Sequence, residues 1–488
     1  MDNRLSAPGT SLLAEPPAPR RSRRWLRRVL VAALAGGVAA GTVLTLLPEE
    51  PPRRSRVVRP PAPGPRAPAV PAALTAGVPV ALPQLTALIG QQEQRVRERP
   101  ADARAWAVLG TAYVERGRGT ADATDFPRAE RALRTSLQVW GAASTEALDG
   151  LTALALARRD FAEAKRYGEE ALKLTPRRWS AYPQLIDAYT GLGDYEAVRR
   201  SLDKLMALHT DAAVRPAVMA QASAVYRDRG WREDAVAQLT DAAAGARTPG
   251  EQAAYLAGLG QLAWERGDLQ DALRHFEAAL RLDPDQREAP VGRARVLAAL
   301  GRTAQALTAY QTALAKQPNP RYTLELGELW ESLGQDRLAA TQYTQVRTQV
   351  RREGEGGVDD ELLMGQYEAD HGDPVEAVER LRDEWDRQPG IEVADALGWA
   401  LHRAGEDDEA LDYALIATDK TKGGGVRSAL YAFHRGMIEG ELEEYGPARR
   451  HLQEALRINP YFSPLMAPQA QAALRSLGDV PDAPPPSE

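Results

Sequence analysis

The chain has 488 residues, 44% of them apolar and only 6% aromatic, with 40 glycines, 35 prolines and no cysteine. That length is too great for one ordinary core, the missing cysteine excludes disulfides, thiol catalysis and thiolate metal sites, and a leaning on Ala, Leu and Val without long β-branched runs favours helix over sheet. The net charge of -6 is uneven: residues 1–66 hold twelve arginines against four acids, so that of 61 basic and 67 acidic residues 49 and 63 lie beyond them, and an acidic body of this kind is unsuited to broad nucleic-acid binding.

Residues 1–28 form a basic tail ending in Arg20, Arg21, Arg23, Arg24, Arg27 and Arg28. Next comes an uncharged apolar run, Val29 to Leu47, which as a helix reaches ~28 Å, close to the ~30 Å hydrocarbon thickness of a bilayer. It reads as one transmembrane helix, with the arginines held in the cytoplasm and everything after Leu47 outside the cell membrane. Val38-Ala39-Ala40 also fits a small-residue cleavage site, in which case the body is released and secreted. Within the span, Ala33, Gly37 and Gly41 recur every four residues on one face, the spacing by which small side chains let two membrane helices associate as a homo-oligomer. Residues 48–81 follow as a Pro/Arg-rich linker without core-forming residues, an extended spacer.

From Leu82 onward the pattern changes to amphipathic helices. Residues 82–100 read as a lone capping helix. "LGQLAWERGDLQDALRHFEAALRLDP", Leu259 to Pro284, is two helical runs joined by a Gly-Asp turn and closed by proline. With Ala253 as the first position, Leu256, Leu259 and Gly260 fall at four, seven and eight, Leu269, Ala272, Phe276 and Ala279 at seventeen, twenty, twenty-four and twenty-seven, and Pro284 at thirty-two. The next period places Leu297, Gly301, Ala306, Tyr310, Ala313 and Pro318, and the following one Leu326, Gly327, Trp330, Gly334, Ala339 and Tyr343. Ten such units are found between 103 and 462, the first only if several residues around Thr120 are looped out before Phe126. Residues 464–478 read as a closing helix and 479–488 as a disordered acidic tail.

The pattern resembles the tetratricopeptide repeat, with its period of about 34 residues. The resemblance implies an all-α fold, a right-handed α-solenoid of about ten helix pairs. Packing accounts for the spacing. Small residues at eight and twenty allow two antiparallel helices to cross closely, large residues at four, seven, eleven and twenty-four fill the layer between units, Gly at fifteen caps the first helix and Pro at thirty-two ends the second. "RTQVRREGEGGVDD", Arg347 to Asp360, and "DKTKGGGVR", Asp419 to Arg427, depart from it by inserting glycines, and they predict hinges or breaks near 355 and 424.

No catalytic constellation emerges. "GLGQLA", Gly258 to Ala263, matches a dinucleotide fingerprint but sits within a helix rather than after a strand. Six histidines stand singly, without the i, i+3 or i+4 partner of a helical zinc site, and read as solvated or edge residues. No P-loop, nucleophile elbow or HExxH occurs. No cofactor or metal is expected, and no enzyme activity.

The family resemblance implies instead that the first helices line a concave groove receiving a segment of a protein or peptide partner. Its groove positions fall here on Arg227, Gln261, Trp264, Glu265, Arg295, Trp399, His402, Arg403, Phe433 and Met437. Trp264, Trp399, Phe433 and Met437 are the expected anchors, since large apolar groups at a groove are typical hot spots. Carboxylate clamping of the chaperone type is not implied, because the Lys and Asn residues it needs are absent from those positions. The functional expectation is a bacterial, membrane-tethered interaction scaffold for envelope or secretion assembly. The alternative is an enzyme subunit or binding module acting on a cell-wall polymer.

Overall fold

The computed structural model describes residues 82–140, 144–208, 210–418 and 425–478. The expected basic tail, membrane span with Ala33, Gly37 and Gly41, linker and acidic tail lie outside the described residues. Among those described, no helix is long and apolar enough to cross a membrane.

Every regular element described is helical. A lone helix, α1 (Leu82–Glu98), is followed by five pairs: α2 (Ala103–Thr120) with α3 (Phe126–Trp140), α4 (Thr145–Ala157) with α5 (Phe161–Leu174), α6 (Ala181–Gly191) with α7 (Tyr195–Ala207), α8 (Arg215–Asp228) with α9 (Arg232–Gly245), and α10 (Pro249–Glu265) with α11 (Leu269–Leu282). Five more succeed them: α12 (Ala289–Ala299) with α13 (Thr303–Lys316), α14 (Pro320–Ser332) with α15 (Asp336–Glu355), α16 (Glu361–His371) with α17 (Pro374–Arg387), α18 (Ile391–Ala404) with α19 (Asp407–Thr418), and α20 (Ala429–Glu441) with α21 (Tyr445–Ile458). A final helix, α22 (Met466–Ser476), ends the array. Around Thr120 the extra residues are not a simple loop: they lengthen α2 and form the 3-10 turn Ala123–Asp125.

One packing rule builds each pair. Phe276 of α11 is 1% exposed and fills the place a side chain at Gly260 would need: a Cβ there would lie 2.7 Å from its ring. Its far edge abuts Gly292 on α12, so one large residue locks two units together. Leu133 does the same between Gly110 and Gly150. Ala272 and Ala279 are fully buried, and larger groups there would force the helices apart. Helix starts are fixed by side-chain caps: Asp102, Asp160 and Asp194 accept from the backbone N–H three residues on, at 2.9, 3.0 and 2.9 Å. At the carboxyl end, Arg449 donates to the carbonyls of Leu477 and Gly478 at 2.7 and 2.6 Å, satisfying the last turn of α22.

The array winds back on itself. Hydrogen bonds join residues 195 to 200 positions apart: Arg158 Nε to Gly356 O, Arg159 Nη1 to Asp359 O, Ile391 N to the Tyr195 hydroxyl, Arg232 Nη2 to Arg427 O and Asn459 Nδ2 to Trp264 O. At a period of ~34 residues, one turn therefore takes about six repeats. In each case the short turn inside one repeat meets the loop that follows a repeat one turn later. The contacts form a seam from Gly119, whose carbonyl accepts from Gln317, to Trp264.

The glycine-rich insertions belong to this seam. Where hinges were expected near 355 and 424, Gly356 lies against Ala123, Gly357 against Arg158, and Gly425 against Arg229. Gly230 shows why bulk is excluded: its φ is +74°, and a Cβ would stand 2.6 Å from the carbonyl oxygen of Gly425. Arg159 occupies the corresponding turn position of its own repeat and adopts a left-handed φ of 59° despite its side chain. The guanidinium that this places at the seam binds Asp360 as well as the Asp359 carbonyl, which offsets the strain. Across the join near 355, the apolar layer narrows to Leu324, Val346, Leu363 and Tyr367, supported by the stacking of Tyr343 on His371 at 4.3 Å.

Candidate functional site

Two connected spaces lie inside the winding. A trough of about 640 Å³ crosses the first helices of the early repeats and is bordered by Trp179, Tyr255, Asp149, Gln184 and Asp187. Beside it, a cavity of about 390 Å³ lies between the two turns, with Ile186, Asp187 and Val225 on one side and Ile391, Glu392 and Tyr431 on the other. Phe161, Asp187 and Gln221 border both spaces.

Helix spacing places these groups together. Gln184 and Asp187 are three residues apart on α6, hence on one face, and Asp149 projects from the preceding first helix. Arg178 Nε donates to Asp149 Oδ2 at 2.6 Å, while Asp149 Oδ1 and Gln184 Oε1 are buried without a partner. Burial raises the Asp149 pKa even against the pull of Arg178. Asp187 accepts from Gln221 Nε2 at 3.1 Å and has no cation within 4.0 Å among the described residues. Its carboxylate opens onto the lumen, but the surrounding protein removes enough water to push its pKa up to about 6.

The groove residues expected from sequence fall into two groups. The first is a polar ladder across α8, α10, α12 and α14. Arg227 binds Asp228 at 2.7 Å and approaches Glu265 at 3.8 Å; Gln261 donates to Glu265 at 3.1 Å and accepts from Arg295 at 3.1 Å; Arg295 grips Glu325 through two bonds of 2.8 Å. These groups satisfy one another, which makes the ladder an alignment device for four repeats. Trp264 is half-buried, packed against the adjoining core, and its carbonyl receives Asn459 across the seam.

The second group is covered. Phe433 has no exposed surface and Trp399 only 5%. Trp399 stacks on His434 at 4.3 Å and donates Nε1 to Asp370 at 2.9 Å, while Phe462, from the segment leading into α22, lies 5.5 Å from Phe433. Met437 packs against the same cluster, His402 Nδ1 meets Asp407 at 2.5 Å, and Arg403 donates to Ala369 O at 3.2 Å. Trp399 and Phe433 are therefore core residues here rather than anchors open to a partner: the chain's own closing segment occupies their place.

Two histidines read as solvated are buried. His434 Nδ1 lies 3.0 Å from both carboxylate oxygens of Asp395, and His371 sits between Glu328 at 3.8 Å and Glu331 at 3.3 Å. Burial pulls the His371 pKa down, but hydrogen bonding to Glu328 and the charges of Asp370 and Glu331 hold it above the usual value. No group of three or more potential metal ligands is found among the described residues.

Trp179, Gln184, Asp187, Tyr255 and Tyr431 were not anticipated. Nothing in the repeat pattern marks them, because their grouping depends on the curvature of the array. The seam had a faint signal: an amide side chain precedes the repeat-closing proline in Gln317-Pro318, Gln388-Pro389 and Asn459-Pro460, whereas Thr175-Pro176 and Asp283-Pro284 of the first turn lack it. All three amides bond across the seam, Gln388 Oε1 accepting from Phe161 N at 2.9 Å.

Tetratricopeptide-repeat sequence profiles match residues 263–324 and 220–287. A curated relative, cellulose synthase 1 operon protein C of Komagataeibacter xylinus, is 27% identical over 201 residues, which are 41% of this chain and only 13% of that protein. Among solved structures, a human IFIT1 dimer with m7Gppp-AAAA aligns at 16% identity over 70% of this chain and 77% of its own, with a TM-score of 0.45. Pseudomonas aeruginosa pilF aligns at 21% identity over 42% and 90%, with a TM-score of 0.34. These structural likenesses carry no functional argument. The profile matches fall inside an array of helix pairs that keeps one packing rule from Ala103 to Ile458, and residues 220–324 of that array carry tetratricopeptide repeats.

Proposed function

We propose that this chain is a non-catalytic interaction scaffold that receives a protein or peptide segment inside its first turn, and that Val29–Leu47 tethers it to the cell membrane of a bacterium with the repeats on the outer side. The observation that carries the reading is the trough: aromatic groups, a carboxylate with no cation within 4.0 Å among the described residues and buried acceptors without partners surround open space of about 640 Å³, whereas in the second turn the chain's own closing segment leaves only about 160 Å³ beside Trp399 and Arg403. Such a surface offers contact area and directional hydrogen bonding, which is how extended segments are held.

The test is photo-crosslinking in cells from a probe at Gln184, with Arg274, whose side chain is 70% exposed on α11, as the control. A discrete adduct from position 184 alone supports the reading, and equal or absent labelling at both positions refutes it. Because the chain has no cysteine, Ser487→Cys gives one label site for topology. Reaction with a membrane-impermeant maleimide on intact cells is expected if the repeats lie outside.

The second reading is an enzyme subunit or binding module acting on a cell-wall polymer, cellulose being the polymer in the name of the Komagataeibacter relative. Retention of the purified chain on cellulose or a cell-wall glycan, without turnover, would support it.

A further inference from the structure

The ligand chemistry of the trough can be narrowed, on the assumption that the interior is the binding surface. The buried side-chain atoms it leaves without a partner are both acceptors. Asp149 Oδ1 and Gln184 Oε1 are buried and unpaired, and Asp187 stands at the junction with the inter-turn cavity, bonded only to Gln221. On the far side of that cavity Glu392 is exposed, with no cation within 4.0 Å among the described residues.

The lining arginines do not cancel these charges. Arg159 is committed to Asp360, and Arg227 to Asp228 and Glu265. Of the trough's arginines, Arg118 is paired with Glu115 at 3.3 Å and Arg178 with Asp149 at 2.6 Å. Arg287 of the trough and the exposed Arg321 of the cavity have no carboxylate within 4.0 Å among the described residues, but the trough sets Glu115, Glu146, Asp149, Asp187 and Glu251 against Arg118, Arg178 and Arg287, so its lining stays acidic. Asp359 is already paired with Arg387 at 2.6 Å. Beside the open carboxylates, Ile186, Val225 and Tyr431 give an apolar wall against which a methylene stem would lie.

We propose that the trough takes a basic polypeptide segment, one arginine side chain of which enters the junction at Asp187 and extends toward Glu392. A guanidinium supplies five donors in one plane, which suits a site rich in acceptors, and its pairing with a carboxylate is bidentate. An anionic or donor-poor ligand would leave the same acceptors unpaired, which is costly. The raised pKa of Asp187 agrees, since an arriving cation restores what burial withholds from the carboxylate.

The test uses the full-length chain and two fluorescent peptides of identical sequence, one with a central arginine and the other with citrulline, its neutral isostere. Anisotropy titrations are expected to give roughly tenfold tighter binding of the arginine peptide, falling as salt is raised. In Asp187→Asn, which keeps an acceptor for Gln221, the preference should shrink to below about twofold while citrulline-peptide binding stays unchanged. Glu392→Gln should reduce it partly. Equal affinity of the two peptides, binding of neither, or a preference surviving Asp187→Asn overturns the cation site. The crosslink from position 184 reports separately on whether the interior holds any partner, so the two readings fail independently.

Discussion

In the first turn, α4, α6 and α10 and the turn before α6 keep Asp149, Asp187, Tyr255 and Trp179 around open space, while in the second turn α18 and α20 turn most of their inward surface into core. The repeat pattern is the same in both. What differs is the neighbour: Phe462 and Met466 of the closing segment pack against Trp399, Phe433 and Met437, and nothing comparable covers the first turn within the described residues. A groove position is thus a location rather than a function, and an aromatic side chain at it serves binding only if the chain does not cover it first.

Phe433→Ala should widen the contrast most. Removing a wholly buried ring should destabilise the carboxyl-terminal repeats by about 3–5 kcal/mol, read in denaturant unfolding, and leave the position-184 crosslink intact. A loss below ~1 kcal/mol together with a lost crosslink would return the binding role to the second turn.

Gly230→Val tests whether the two turns are held together. Left-handed strain and the contact with Gly425 should together cost roughly 2–4 kcal/mol, whereas Gly301→Val, with a φ of +71° and nothing within 4 Å, should lose only about 1–2. Equal losses would mean that the seam adds nothing. Asn459→Ala should follow at about 1–3 kcal/mol, since it removes the cross-seam bond to the Trp264 carbonyl and leaves Tyr461 N–H without its acceptor, and faster amide exchange should be confined to the seam.

The smallest effect is a pH dependence. Burial, together with the neighbouring Asp360, pushes the Glu353 pKa up to about 7. A carboxyl whose folded pKa lies above its unfolded 4.5 favours the folded form below that value, and the benefit is lost as pH rises toward 7. Protection factors of residues 356–360, with the intrinsic base-catalysed exchange divided out, should therefore be lower at pH 8 than at pH 5, and Glu353→Gln should flatten the difference.

Much of the helix-pair architecture was legible in single residues. Gly260 facing Phe276, Ala272 at the crossing and Pro284 after α11 each act on neighbours within one period, so their spacing alone specifies the contact. The ladder from Arg227 to Glu325 was legible in part, since it joins equivalent positions of successive repeats. The covering of Trp399 and the docking of the Gly356 and Gly425 loops were not. Those contacts join parts of the chain that no local pattern relates, and the same glycines read equally well as hinges.

The sequence by itself determined a repeat array: ten helix pairs, their caps, and the alternation of small and large residues that sets each crossing. Only the tertiary structure decided that the array closes on itself after about six repeats, which inward surface stays open, and where Asp187 and Glu392 share a cavity. The reason is cumulative geometry. Each repeat adds a small rotation set by side-chain packing with its neighbour, and only the sum of those rotations determines which residues nearly two hundred positions apart come to touch.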